Sequence, residues 1–311
     1  MILFAGLADE PPLELAIACA ERQGLPHAVL DQRHAAACSL ELELEGERLA
    51  GILRIGPRSW PVAEISAIYA RTFDPTAIAG GAGRAEADDA HGLALNQLLA
   101  DWLELAPGRI VNRPSAMASN VSKPYQAGFI IAAGFRSPPT LVTNDPAELL
   151  AFHAQHGRIV YKSISSIRSI VREWQPAESS ALARLPRLPT QFQALVPGQE
   201  VRVHVVGDTV IATAIRSAAI DYRYAGRTGQ AVAMAPVELP AEVGERCRLL
   251  VERLGLAFAG LDLRCTPEGI WYCFEVNPSP AYSFFQEMGG QPISEALVRY
   301  LAAEEGDAWS R

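Results

Sequence analysis

The sequence predicts an α/β domain followed by α+β lobes, and three stretches carry that prediction. The first is a short apolar run, Ile2 to Gly6, followed by Pro11-Pro12, helix-spaced Leu13, Leu15, Ile17 and Ala20, and then Ala28-Val29-Leu30. This β-α-β order begins an open α/β domain. The second is the middle of the chain, where apolar strand-like runs alternate with capped helical segments. The third lies near the C-terminus, where runs from Phe258 to Arg264 and from Ile270 to Val276 flank Thr266-Pro267-Glu268-Gly269, turn residues that predict a β-hairpin. With 311 residues, 49% of them hydrophobic and 20% charged, the chain can fill one sizeable core or two or three smaller ones.

In chain order, Ser39-Leu-Glu-Leu-Glu-Leu44 alternates with strict period two, and Leu49 to Ile55 follows a Glu45-Gly46-Glu47 turn. The pair predicts a hairpin with one wet face, a decoration or edge rather than a central strand. Ile65 to Ala70 is the next strand. Gly80-Gly81-Ala82-Gly83 lacks the Lys-Ser/Thr of a phosphate loop and any clear βαβ context, so it reads as a loop before a helix over 85–105 that Pro107-Gly108 stops. After a short strand from Arg109, Ser122 is placed to cap a helix running through Ala133 and ended by Gly134. Pro139 to Thr143 is a strand, Asn144-Asp145-Pro146 starts a helix, and Arg158 to Lys162 is a strand ending in lysine. Strands over Pro189 to Val196, Glu200 to Val206 and Val210 to Arg216 follow, and Leu239-Pro240 opens a helix to Leu254 ahead of the hairpin. A closing aromatic stretch, Tyr282 to Gly290, precedes an amphipathic helix over about 293–303; Phe284 and Phe285 are candidates either to wall a pocket or to pack in the core.

Alternation along the second hairpin strand puts Trp271, Cys273, Glu275 and Asn277 on one side. Closing the hairpin around its four turn residues sets Asp262 beside Cys273 and diagonal to Glu275, within roughly 7–8 Å. Asp262, Glu275 and Asn277 then form an oxygen-only donor set, suited to magnesium or manganese and poorly suited to zinc or copper. A plain pair of solvent-facing carboxylates is the alternative. The five cysteines, Cys19, Cys38, Cys247, Cys265 and Cys273, include no C-x-x-C pair and predict buried thiols in a reducing compartment.

The Asp-then-Glu-x-Asn hairpin resembles the end of the ATP-grasp fold of D-alanine ligases, glutathione synthetase, ribosomal-protein glutamate ligases and microviridin-type peptide ligases. Pro278-Ser279-Pro280 is similar to the small-residue turn found there. The resemblance covers about 112–280 and rests on the order and spacing of several motifs. It implies an N-terminal open α/β (pre-ATP-grasp) domain over 1–111, a small lobe with its entry helix over 112–196, and a C-terminal lobe with the metal hairpin over 197–311, the two lobes enclosing ATP. It assigns Asp262, Glu275 and Asn277 to Mg2+, with Mn2+ as an alternative, and Lys123 and Lys162 to the nucleotide phosphates. Residues 193–196, through Gln193, Ala194 and Val196, become the adenine hinge. Glu200 falls at the ribose, whose hydroxyls suit a carboxylate that only accepts. Asp221-Tyr222-Arg223 resembles the Asp-aromatic-Arg loop of the ribosomal-protein and peptide ligases. Arg216, Arg223 and Arg202 are the catalytic candidates, with Arg227 a further one, because a guanidinium fork matches phosphoryl oxygens. An ion pair between Arg202 and Glu200, which share a strand face, is the alternative for those two. Ser163-Ile-Ser-Ser-Ile-Arg168-Ser169 departs from the glycine-rich lid of many members, its hydroxyls and Arg168 being the substitute donors.

The activity implied is that of an ATP-dependent carboxylate-amine or carboxylate-hydroxyl ligase working through an acyl phosphate on an amino acid, peptide or protein. A phosphotransferase on the same fold and a nucleotide-binding protein without turnover are the alternatives. The net charge of −8 argues against nucleic acid as a partner. The N-terminus lacks a basic region and no apolar run reaches membrane-spanning length, which predicts a cytoplasmic protein with no membrane partner. The resemblance allows a homodimer or homotetramer.

Overall fold

The computed structural model describes residues 1–46, 48–78, 86–163, 171–175, 179–217, 222 and 229–303. Its first third contains β1 (Ile2–Gly6), α1 (Pro11–Arg22), β2 (His27–Asp31), β3 (Cys38–Glu45), β4 (Arg48–Ile55), β5 (Arg58–Pro61), β6 (Ala67–Arg71), α2 (Glu86–Leu105) and β7 (Arg109–Val111). β1 is buried along its whole length, as a central strand covered on both faces must be. It pairs in parallel with β2 and β6, and β6 with β7, in the order β2-β1-β6-β7. The expected edge hairpin is present and gains a third strand, so β3-β4-β5 form a separate antiparallel sheet. Leu40 and Leu53 face the core there while Glu41, Glu43 and Glu45 face water.

The middle of the chain holds α3 (Pro114–Met117), α4 (Lys123–Ala132), β8 (Thr140–Thr143), α5 (Pro146–His156), β9 (Ile159–Ser163), β10 (Arg172–Glu173), α6 (Ser179–Arg184) and β11 (Thr190–Ala194). Local capping starts α4 and α5: Ser122 Oγ accepts from Tyr125 N–H at 3.4 Å and Asp145 Oδ1 from Ala147 N–H at 2.8 Å. The strands form an antiparallel sheet in the order β10-β9-β11-β8.

The remainder comprises β12 (Gln199–Val206), β13 (Thr209–Ser217), β14 (Val232–Pro236), α7 (Ala241–Arg253), β15 (Phe258–Cys265), β16 (Trp271–Asn277), α8 (Ser283–Gly289) and α9 (Ile293–Ala302). Its antiparallel sheet runs β14-β13-β12-β15-β16. One face, through Val201, Val203, Val205, Leu261 and Val276, packs on Val243, Cys247 and Leu250 of α7. At the end of the other face, Val206, Ile211, Ile215 and Phe258 join a core shared with Phe4, Leu13, Phe285 and Leu297. Helices α8 and α9 therefore weld the last sheet to the first one. Of the two aromatics, Phe285 packs in this core, and Phe284 is exposed.

The hairpin itself departs from strict alternation. Asp262 pairs with Glu275 and Leu263 with Cys273, leaving Phe274 as an extra residue in a β-bulge. The expectation that Cys273 shares a face with Glu275, and that Asp262 lies diagonal to it, is thereby corrected. Cys273 turns into the α7 core, Phe274 and Glu275 both face the opposite side, and the two carboxylates become direct cross-strand partners.

Candidate active site

The bulge creates a wall of three rungs on the face of the C-terminal sheet away from α7. Cross-strand register aligns Ile215, Glu200, Arg264 and Tyr272; then Thr213, Arg202, Asp262 and Glu275; then Ile211, His204, Gly260 and Asn277. Facing this wall across a cleft are Val160 and Lys162 of β9 and the segment Gln193, Ala194, Leu195 and Val196 at the end of β11. Tyr222 also lines the cleft. Thus Lys162, the 193–196 segment through Gln193, Ala194 and Val196, Glu200, Asp262 and Glu275, singled out at five separate points of the sequence, come together in one place. Lys123, the first residue of α4, lines an adjoining groove together with Gln191, Gln193 and Phe274.

Lys162 is buried, and its pKa drops to about 8 because burial disfavours the ammonium and Lys123 repels it; Glu275 and Asp262 pull the other way and offset only part. Two lysines and two carboxylates thus share one electrostatic neighbourhood. Arg202 is buried beneath Asp262, donating from Nη1 to Oδ1 at 2.6 Å. Burial works against its charge, but Asp262, Tyr222 and Glu275 more than offset that and its pKa is raised. Gly260 makes this possible: a Cβ there would overlap the Arg202 guanidinium. Arg202 also lies 5.7 Å from the Phe285 ring centre. His204, one rung below, is fully buried near the rings of Phe258 and Phe285, and burial together with Arg202 keeps it neutral.

The expected alternative pairing of Arg202 with Glu200 is not what the structure shows. Arg202 belongs to Asp262, and Glu200 Oε2 accepts from Arg264 Nη2 at 3.2 Å, each partner lying on the neighbouring strand rather than two residues away. At the hinge, the N–H groups of Ala194 and Leu195 are engaged by Pro139 O and Arg158 O, both at 2.9 Å, and Gln193 Nε2 donates to Thr140 Oγ1 at 3.0 Å. These bonds fix the hinge backbone. Arg216 alternates onto the opposite face of β13 from Ile215, is exposed, and is not brought to the cleft. Arg223, Arg227, Asp221, the Ser163-to-Ser169 lid and Gly80 to Gly83 lie outside the described residues, apart from the backbone of Ser163, which ends β9.

Several positioning residues carried no local signal in the sequence. Asn112 is buried and makes four bonds, accepting from the N–H groups of Ala257 and Phe258 and donating to Phe258 O and Pro278 O, so it fixes both ends of the hairpin. Gln126 clamps Val276 through its N–H and C=O, both at 2.8 Å. Arg71, at the end of β6, forks onto Glu10 at 2.6 and 2.7 Å and reaches Ser279 Oγ at 3.0 Å and Pro280 O at 3.2 Å. Asn277 Oδ1 accepts from Ser279 N–H at 2.9 Å, so the turn latched by Arg71 also orients the third oxygen donor.

The donor chemistry fits a hard divalent cation: two carboxylates paired across a rung, an amide oxygen on the next rung, and lysines for the anion it would accompany. Among the described residues no cluster of three or more His, Cys, Asp or Glu is present, so the amide is needed to complete the set. No described helix is long and apolar enough to cross a membrane.

No family model matches the chain. Two probable alpha-L-glutamate ligases are similar to part of it. One from Rhodopirellula baltica is 27% identical over 151 residues, 48% of this chain and 35% of the relative; one from Xanthomonas oryzae pv. oryzae is 31% identical over 149 residues, 47% and 46%. The matched stretch is thus less than half of either relative. Solved structures match nearly the whole chain. The macrocyclase MdnC of Microcystis aeruginosa, bound with precursor peptide MdnA, superposes with a TM-score of 0.78 at 21% identity, covering 97% of this chain and 99% of that one. An ATP-grasp ligase of Chryseobacterium gregarium with ADP and a leader and core peptide gives 0.78 at 21%, covering 96% of each chain. The ATP-grasp ligase PsnB with Mg, ADP and a variant of its minimal precursor gives 0.76 at 24%, covering 96% and 98%. At these identities the likeness speaks to architecture, and the architecture of this chain is the ATP-grasp fold.

Proposed function

We propose that the protein is an ATP-dependent carboxylate-amine or carboxylate-hydroxyl ligase that works through an acyl phosphate, with a peptide as the preferred class of substrate and an amino acid or protein as the rivals. The observation that carries the proposal is the Asp262–Glu275 rung facing buried Lys162 in a cleft whose other wall is the hinge. Ligases of this fold bound to precursor peptides support the peptide class.

Asp262, Glu275 and Asn277 are the residues that would hold Mg2+, which when bound supplies charge neutralisation at the phosphoryl oxygens. The chain's own contribution is positioning and electrostatics. Lys162 in the cleft and Lys123 in the adjoining groove would offer two cationic charges to the phosphates, and burial strengthens the field of the first. Arg202 holds Asp262 in place through a bond below the carboxylate, acting on the ligand set rather than on a substrate. The hinge and Glu200 orient the nucleotide for in-line transfer of the γ-phosphoryl group to a substrate carboxylate, which needs no covalent enzyme intermediate. An amine or hydroxyl then displaces phosphate from the acyl phosphate.

The test is calorimetric binding of ATP with and without magnesium to wild type and Glu275→Ala, followed by ADP release and product mass with candidate peptides. Metal-dependent binding that weakens at least about tenfold in the variant is expected, since one of two charged ligands is lost. An amide or ester product supports the ligase, a phosphorylated product alone identifies a phosphotransferase, and no binding by wild type overturns the proposal.

A further inference from the structure

Arg264 stands on the cleft wall without a role in the reading above. It is the cross-strand partner of Glu200, and its side chain reaches three elements at once. Nη1 donates to Val196 O at 2.9 Å, Nη2 donates to Glu200 Oε2 at 3.2 Å, and Cζ lies 5.3 Å from the centre of the Phe274 ring. The Arg264 and Glu200 side chains are only 20% and 25% exposed, so water competes weakly for the pair. One guanidinium therefore links the last carbonyl of the hinge, the carboxylate opposite it and the bulge residue next to Glu275.

We propose that Arg264 is a positioning residue that sets recognition of the nucleotide's ribose. The inference rests on the ATP-ligase reading and deepens it. A glutamate side chain has three rotatable bonds, and a carboxylate that must accept from the ribose hydroxyls has to be held in one of its rotamers. The guanidinium supplies that hold because its fork has fixed geometry and its other arm is anchored on Val196 O. It also screens the Glu200 charge from the anionic phosphates that enter the same cleft. Lysine could satisfy the carbonyl or the carboxylate as a point charge, but not bridge both with a planar fork.

The consequence is a change in discrimination and not merely in affinity. Wild type is expected to bind ATP about tenfold more tightly than 2′-deoxy-ATP or 3′-deoxy-ATP, the scale of one lost charge-assisted hydrogen bond. Arg264→Lys is expected to bind ATP more weakly and to bind ATP and the deoxy analogue within about twofold of each other, and Glu200→Gln to lose discrimination in the same way. Calorimetry with magnesium and each of the three nucleotides reads these ratios directly. Retention of the wild-type ratio by Arg264→Lys overturns the proposal. If that variant does not fold, Arg264→Gln, which can keep one amide donor for Val196 O but cannot fork onto Glu200 as well, decides the matter, and an unchanged ratio there overturns it equally. Equal binding of ATP and both deoxy analogues by wild type removes the ribose role while the ligase reading stands; no ATP binding by wild type sinks both.

Discussion

Replacing Lys162 by Met should make the fold more stable while weakening nucleotide binding. The ammonium is buried beside Lys123, and its pKa of about 8, against 10.5 for an ordinary lysine, measures how poorly the folded chain tolerates the charge. At roughly 1.4 kcal/mol for each tenfold change in proton affinity, the fall corresponds to about 3 kcal/mol at neutral pH, taken as a ceiling. Met has a similar length and no charge to desolvate. The pH dependence supplies the sign. Between pH 8 and 10.5 the unfolded chain still carries a proton that the folded chain has released from Lys162, so wild-type stability rises with pH across that window. Below pH 8 both states are protonated and the cost is constant. Urea unfolding at about pH 7, 8, 9 and 10 should show Lys162→Met more stable by about 1–3 kcal/mol at pH 7, with the gap closing toward pH 10. Calorimetry on the same samples should show ATP affinity reduced at least about tenfold, since a cation facing the phosphates is gone. A variant less stable than wild type at pH 7, with a gap that does not change with pH, would refute the reasoning.

Two other substitutions test how the wall is held. Gly260→Ala places a methyl group on the Arg202 guanidinium, so it should cost about 1–3 kcal/mol in urea unfolding and also lower metal-dependent ATP affinity by moving Arg202 off Asp262. An unchanged affinity would show that Arg202 does not orient Asp262. Arg71→Ala leaves Glu10 unpaired in a half-buried site and releases the Ser279–Pro280 turn. A loss of about 3 kcal/mol is expected, partly restored by adding Glu10→Gln, with faster amide hydrogen exchange at Ser279. Wild-type exchange at that turn in Arg71→Ala would show that the latch does not hold it.

The hairpin was legible because its signals are local. Thr266-Pro267-Glu268-Gly269 and the apolar runs on either side act within a few residues, and so do Ser122 and Asp145, whose side chains cap helices starting at the very next residue. The same locality lets the hairpin bring Asp262 near Glu275 and Asn277 in the sequence reading, since the two strands are each other's partners. Strict alternation misplaced Cys273, because a bulge depends on how the partner strand packs against α7 and not on the composition of the strand itself.

Partner choice lay beyond the sequence. Glu200 and Arg202 sit two residues apart, and a pair between them is the alternative the sequence leaves open, yet β15 arrives alongside and offers each a partner in register, Arg264 to one and Asp262 to the other. Arg71 and Pro280 are separated by 209 positions and meet because α8 and α9 bind the last sheet to the first. The chain singles out Lys162 only through a resemblance, and nothing local shows that burial and Lys123 lower its proton affinity. Turn chemistry, capping and donor type are properties of a residue and its immediate neighbours, so they are written in the chain. Which charges meet, and at what dielectric cost, is settled when long-range packing chooses the neighbouring strand, and only the folded molecule holds that information.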